Sequence, residues 1–220
     1  SQQRNNEEEA SVKSLEAARD AYRSIDGLKL DDLPSAVAYA EASAWEVEAL
    51  RALGRIDEAR RVTAEATHVA GQVLERRPSH MGALRARALL QSALANAEWN
   101  ELHVEKAHEL FRQAVVDYEA LVKLDPGNQI SWNNLADTRA GVGFTLSGLG
   151  RVGESLQELK TSLAVESNAK KSAAFISLPL GLAAGYLAMF ASDAGDRTTA
   201  QAALASNRRF VESATKDLAP

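Results

Sequence analysis

One apolar spacing recurs along the chain. From Ile56, apolar and small residues stand at Ile56, Ala59, Thr63, Ala66, Ala70 and Val73. The same spacing returns at Val104, Ala107, Phe111, Ala114, Tyr118 and Leu121, and again at Val152, Ser155, Leu159, Ser162, Glu166 and Ala169. Steps alternating between three and four place each set on one face of an α-helix. Each run begins 48 residues after the one before. The breaks obey the same period: Pro78 and Pro126 are 48 apart, and Leu53-Gly54-Arg55-Ile56-Asp57-Glu58-Ala59 matches Leu149-Gly150-Arg151-Val152-Gly153-Glu154-Ser155 two periods on. One period back from Ile56 lie Glu8, Ser11, Leu15, Ala18, Tyr22 and Ile25, again one helical face after the first turn.

The stretches between these helices predict partners for them. A first helix opens near Ser35, after Leu33-Pro34, with Ala38, Ala42, Trp45, Ala49 and Leu53 facing inward. Others are expected from about His80 to Ala97 and from about Ile130 to Leu149, each after a proline-bearing break. A last pair runs from Pro179 to Ala194 and from Arg197 to Leu218, turning at Gly195-Asp196 and packing through Ala200, Leu204, Val211 and Ala214. Proline at the starts and glycine at the ends suit helix caps. The reading is nine helices without a sheet: residues 1–30 as the orphan second helix of a truncated unit, then helix pairs at 31–78, 79–126, 127–172 and 173–220. A pair with one apolar stripe per helix cannot bury it alone, so the pairs must stack as a solenoid. A chain opening in mid-repeat, without an initiator Met, reads as a fragment of a longer protein.

Composition agrees. The 45% hydrophobic share is mostly Ala and Leu, the strongest apolar helix formers, and aromatics are only 5%. A net charge of −5 with both signs interspersed excludes a basic nucleic-acid surface. There is no Cys, so disulfides and thiolate metal sites are excluded, while the compartment stays open. A soluble segment is expected, with the cytoplasm favoured over the periplasm. The longest apolar stretch, Phe175 to Ala191, is broken by Pro179, Gly181 and Gly185 and reads as a buried helix, not as a membrane insertion.

With Ala107, Phe111, Ala114 and Pro126 in one unit and Ala59, Thr63, Ala66 and Pro78 in another, the chain resembles the tetratricopeptide repeat (TPR) family. Val142-Gly143 and Leu187-Ala188 resemble the small-residue step of that family's first helix, which lets two helices approach closely. The unit departs in length, 48 residues against the family's 34. The resemblance implies a right-handed solenoid of antiparallel helix pairs that binds a protein or peptide on the concave face lined by first helices. Candidate partner-binding residues there are Glu41, Glu48, Arg85, Gln91, Asn96, Asn133, Asn134, Asp137, Phe144, Tyr186 and Met189. The family's Lys, Arg and Asn clamp for a C-terminal carboxylate is not found.

No cofactor, metal or catalytic site is expected. His103 and His108 are five apart and do not share a helical face, and His68 and His80 stand alone. The glycines of GVGFTLSGLG follow no strand and precede no Lys-Ser/Thr, so they form no phosphate loop. Glu7-Glu8-Glu9 suits a solvated helix start. No acid, base and nucleophile come together, so the chain reads as a binding module and not an enzyme. The alternative is a sensory, regulatory or oligomerisation segment of a larger signalling or transcription-regulating protein. In the 179–194 helix, Leu180, Leu182, Leu187, Met189 and Phe190 spread around the axis, so cover is needed on all sides. A homodimer or partner contact is expected where its neighbours and the 168–177 linker leave it open.

Overall fold

The computed structural model describes residues 2–24, 33–168 and 178–216. Every element among them is an α-helix: α1 (Gln2–Ser24), α2 (Leu33–Ala52), α3 (Ile56–Arg76), α4 (Met81–Asn100), α5 (Val104–Leu124), α6 (Gln129–Gly148), α7 (Val152–Asn168), α8 (Leu178–Asp193) and α9 (Arg197–Lys216). The period of 48 is kept residue for residue in the ends of α2, α4 and α6 and in the starts of α3, α5 and α7. No helix among the described residues is long and apolar enough to cross a membrane.

Two compact units divide the chain, residues 1–124 and 125–220. In the first, α2 pairs with α3 and α4 with α5, while α4 packs also on α2 and α3, and α1 packs on α2. In the second, α6 pairs with α7 and α8 with α9, and α8 packs also on α6 and α7. Within each pair the chain reverses through one repeated turn. The N–H groups of Arg55, His103, Arg151 and Asp196 reach back to the carbonyls of Leu50, Glu98, Leu146 and Ala191, at 2.9, 2.9, 2.9 and 2.8 Å. This Schellman closure satisfies end carbonyls and needs one left-handed residue. Gly54, Gly150 and Gly195 supply it at φ 73 to 76°, and Leu102, one period after Gly54, is forced to φ 62°. Between pairs, His80 and Asn128 cap the next helix by accepting from the N–H of Ala83 (3.3 Å) and Ser131 (3.1 Å).

In α3 and α5 the predicted stripe is buried after its first residue, whereas the stripe predicted for α1 is only half-buried at Glu8, Ser11, Leu15, Ala18 and Tyr22, with Val12 buried instead. Ala59, Thr63, Ala66, Ala70 and Val73 are buried in α3, and Ala107, Phe111, Ala114, Tyr118 and Leu121 in α5. In α7 the stripe is finished by hydrogen bonds. The Ser155 and Ser162 hydroxyls donate to the Gly143 and Ala136 carbonyls of α6, each at 2.7 Å. The small step at Gly143 is required, because a Cβ there would stand 2.7 Å from Leu159. Val152, in the first turn of α7, is exposed instead of inward. Leu204 is also exposed, at 58%. Its helix packs only on α8 among the described helices, so its far side has no neighbour. Ile25, Glu166, Ala169, Leu180, Leu182, Val211 and Ala214 lie outside the described side chains, and so do residues 169–177 of the linker.

The first helices differ from expectation. Trp45, expected in the core, is 62% exposed. Tyr39, Ala40, Ser43, Ala44, Glu46, Val47 and Leu50 are buried instead. The reason is that α2 is packed by α1, α3 and α4 together. Most of its circumference is covered, and the strip left open is the one that carries Trp45.

Candidate functional site

On α2, the positions Glu41, Trp45 and Glu48 follow steps of four and three and therefore share a face. Small residues flank the tryptophan at Ala38, Ala42 and Ala49, so its own helix leaves the indole uncovered. Arg85 of α4 donates to the Glu41 carboxylate across the two first helices. Arg51 Nε donates to Glu48 at 2.9 Å. Exposed pairs of this kind contribute about 0–1 kcal/mol, so they order the strip without closing it to a partner. Asn96 is exposed farther along α4, its Nδ2 donating to the Ser92 carbonyl at 3.0 Å. Gln91 does not belong to this strip. It is buried, and its Nε2 donates to Gln113 of α5 at 3.1 Å, placing it in the seam of the pair.

The first helices of the second unit present a different surface. Phe144 of α6 meets Tyr186 of α8 with ring centroids 5.1 Å apart, and Tyr186 meets Phe190 at 5.9 Å. Such tilted pairs add about 0.5–1.5 kcal/mol beyond burial. Tyr186 and Met189 remain exposed, whereas Leu187 and Ala188 are buried. Asn133, Asn134 and Asp137 are half-buried along α6. The structure thus groups Glu41, Glu48, Arg85 and Asn96 in one unit, and Phe144, Tyr186 and Met189 in the other. Sequence reasoning placed Trp45 in the core, and it is exposed; Met81 and Ile130, to which it assigned no face, are exposed as well. For Trp45, apolar character alone had suggested burial.

Charged groups inside the first unit are built into seams. Glu98 of α4 is buried with both oxygens used: Arg60 donates to them at 2.7 and 2.8 Å, and His103 Nδ1 lies 2.7 Å from the second. The Arg60 hydrogen bonds hold the Glu98 carboxyl below its ordinary value. Arg87 and Asp117 join α4 to α5 through two hydrogen bonds of 2.7 Å. Glu46 of α2 is 1% exposed and accepts one hydrogen bond, from Arg19 Nη1 of α1 at 2.9 Å. Loss of hydration outweighs the attraction of Arg19, and the Glu46 carboxyl is pushed up to about 7. No cluster of three or more His, Asp or Glu able to hold a metal occurs among the described residues.

No family model and no curated protein matches the chain. Solved structures do. One is a Podosopora anserina protein described as a kinesin light chain with nearly identical TPR-like repeats, with a TM-score of 0.64 at 19% identity over 97% of this chain and 91% of that one. A second crystal structure of the same description gives 0.54 at 16% identity, covering 94% and 95%. BtubC (BKLC) from P. vanneervenii gives 0.51 at 15% identity, covering 97% and 94%. Taken with the all-helical pairs of this chain, these likenesses show the fold: the chain has the TPR-like helical-repeat fold.

Proposed function

We propose that the chain is a protein-interaction module that holds a protein or peptide on the open faces of its first helices. One observation carries this reading. The two aromatic residues left largely exposed among the described residues, Trp45 and Tyr186, both stand on first helices. Tryptophan and tyrosine, with arginine, are the residues most enriched where interfaces concentrate their binding energy. The TPR-like fold supports the same reading, because stacked helix pairs create extended binding surfaces. For self-association through α8 the supporting observation is narrower: Tyr186 and Met189 are exposed on a helix that carries no charge before Asp193.

A photo-crosslinking residue placed at position 45 or 186 tests the proposal in cells that express the chain. Discrete adducts are expected from both positions and not from positions 116 and 204, exposed apolar sites on second helices. Equal adducts from all four, or none from 45 and 186, would refute it. An adduct at 186 of twice the chain mass would favour self-association.

A further inference from the structure

The two buried first-helix glutamates are held differently. Glu98 has every oxygen satisfied by Arg60 and His103. Glu46 has one oxygen that accepts no hydrogen bond among the described residues, and Arg19 Nε donates none. A buried group left unpaired costs about 1–3 kcal/mol, more when charged. Glu46 is also where α1 meets α2. Of the described α1 side chains only Val12 is fully buried, whereas α3, which packs on α4 as α1 packs on α2, buries eight. Beyond that, α1 is tied by Arg23, which donates to the Tyr39 hydroxyl of α2 at 3.4 Å and pairs with Glu65, and by the exposed pair Arg55–Glu9. A helix held this lightly responds to the state of one buried carboxyl.

We propose that Glu46 makes α1 a pH-gated helix, docked on α2 while the carboxyl carries a proton and released as the proton leaves. The charged groups that act most on Glu46 are Arg19, Glu16 and Asp20 of α1 and Arg55 at the start of α3. Glu16 and Asp20 oppose ionisation, while Arg19 and Arg55 favour it. The carboxyl is pushed up from 4.5 to about 7 when α1 is docked, so the docked state binds the proton more tightly than the released state. Its contribution to docking is therefore complete below 4.5, declines as pH rises toward about 7, and is gone above that. The device is independent of what the open faces bind.

Amide hydrogen exchange on the whole chain, corrected for intrinsic rates, tests this from about pH 5.5 to about pH 8.5. The α1 amides should exchange about thirtyfold faster at the upper end relative to those of α4 and α5. In Glu46→Gln, which stays neutral and keeps an acceptor for Arg19, α1 should remain protected throughout. Three results would overturn the proposal: α1 protection independent of pH in the wild type, an unchanged pH response in Glu46→Gln, or an α1 that is loose at every pH in that variant. The last would show that the ionised carboxylate holds the helix. If Glu46→Gln does not fold, Arg19→Gln decides instead. It removes the main attraction favouring ionisation, so the response must move to higher pH, and an unmoved response overturns the gate.

Discussion

In the first three pairs the second helix buries one face and the first helix buries most of its circumference, whereas α8 buries one face through Ala183, Ala184, Leu187, Ala188 and Ala191. In α3 and α5 the buried residues fall on a single stripe, and the outward side is charged and solvated. In α4 and α6 buried residues occur on nearly every side, because each is a first helix packed within its unit by its own partner and by another pair's helices. A helix covered nearly all round leaves one strip to water. On α2 that strip holds Trp45 with Glu41 and Glu48, whereas α8 leaves a wider face to water, with Tyr186 and Met189 on it. The second helices thus supply most of the segregation that drives stacking, while the first helices leave the open strips on which the proposed binding rests.

The contrast is sharpest between two aromatics. Phe111 stands on the buried stripe of α5, and Trp45 on the open strip of α2. Phe111→Ala should cost about 3–5 kcal/mol in urea unfolding, through lost burial and the cavity left behind. Trp45→Ala should change stability by no more than about 0.5 kcal/mol, as surface substitutions do. Similar losses for the two would erase the distinction between the helices.

A smaller effect of opposite sign is expected at the turns. Leu102 occupies the left-handed position that glycine fills at 54 and 150, and it is exposed. Leu102→Gly should stabilise the chain by about 1 kcal/mol, the relieved strain being partly offset by the freedom glycine gains when unfolded. A loss of stability would mean that the leucine makes a contact that outweighs its backbone strain.

The legible parts of the sequence were those with a local signature. A one-sided stripe such as Ala107, Phe111, Ala114 and Tyr118 is a pattern of spacing, and the 48-residue period multiplies it. The first helices lack such a stripe, so an inward set chosen by apolar character took Trp45 into the core and left Tyr39 out. Leu102 gave no sign of its left-handed backbone, because only the period identifies it with glycine. Glu46 and Glu98 look like surface acids in the sequence, since their partners Arg19 and Arg60 lie 27 and 38 residues away. Of the candidate binding residues, Gln91 was misplaced because one helical step separates the open strip from the seam with α5.

The openness of the first-helix strip can be measured directly at Trp45. In a Trp99→Phe, Trp132→Phe chain, Trp45 is the sole tryptophan. Its emission should be red-shifted and should be quenched by acrylamide nearly as readily as free indole, because its ring stands in water on the face where a partner is proposed to dock. A blue-shifted emission resistant to acrylamide in the folded, partner-free chain would place Trp45 in the core and contradict the account.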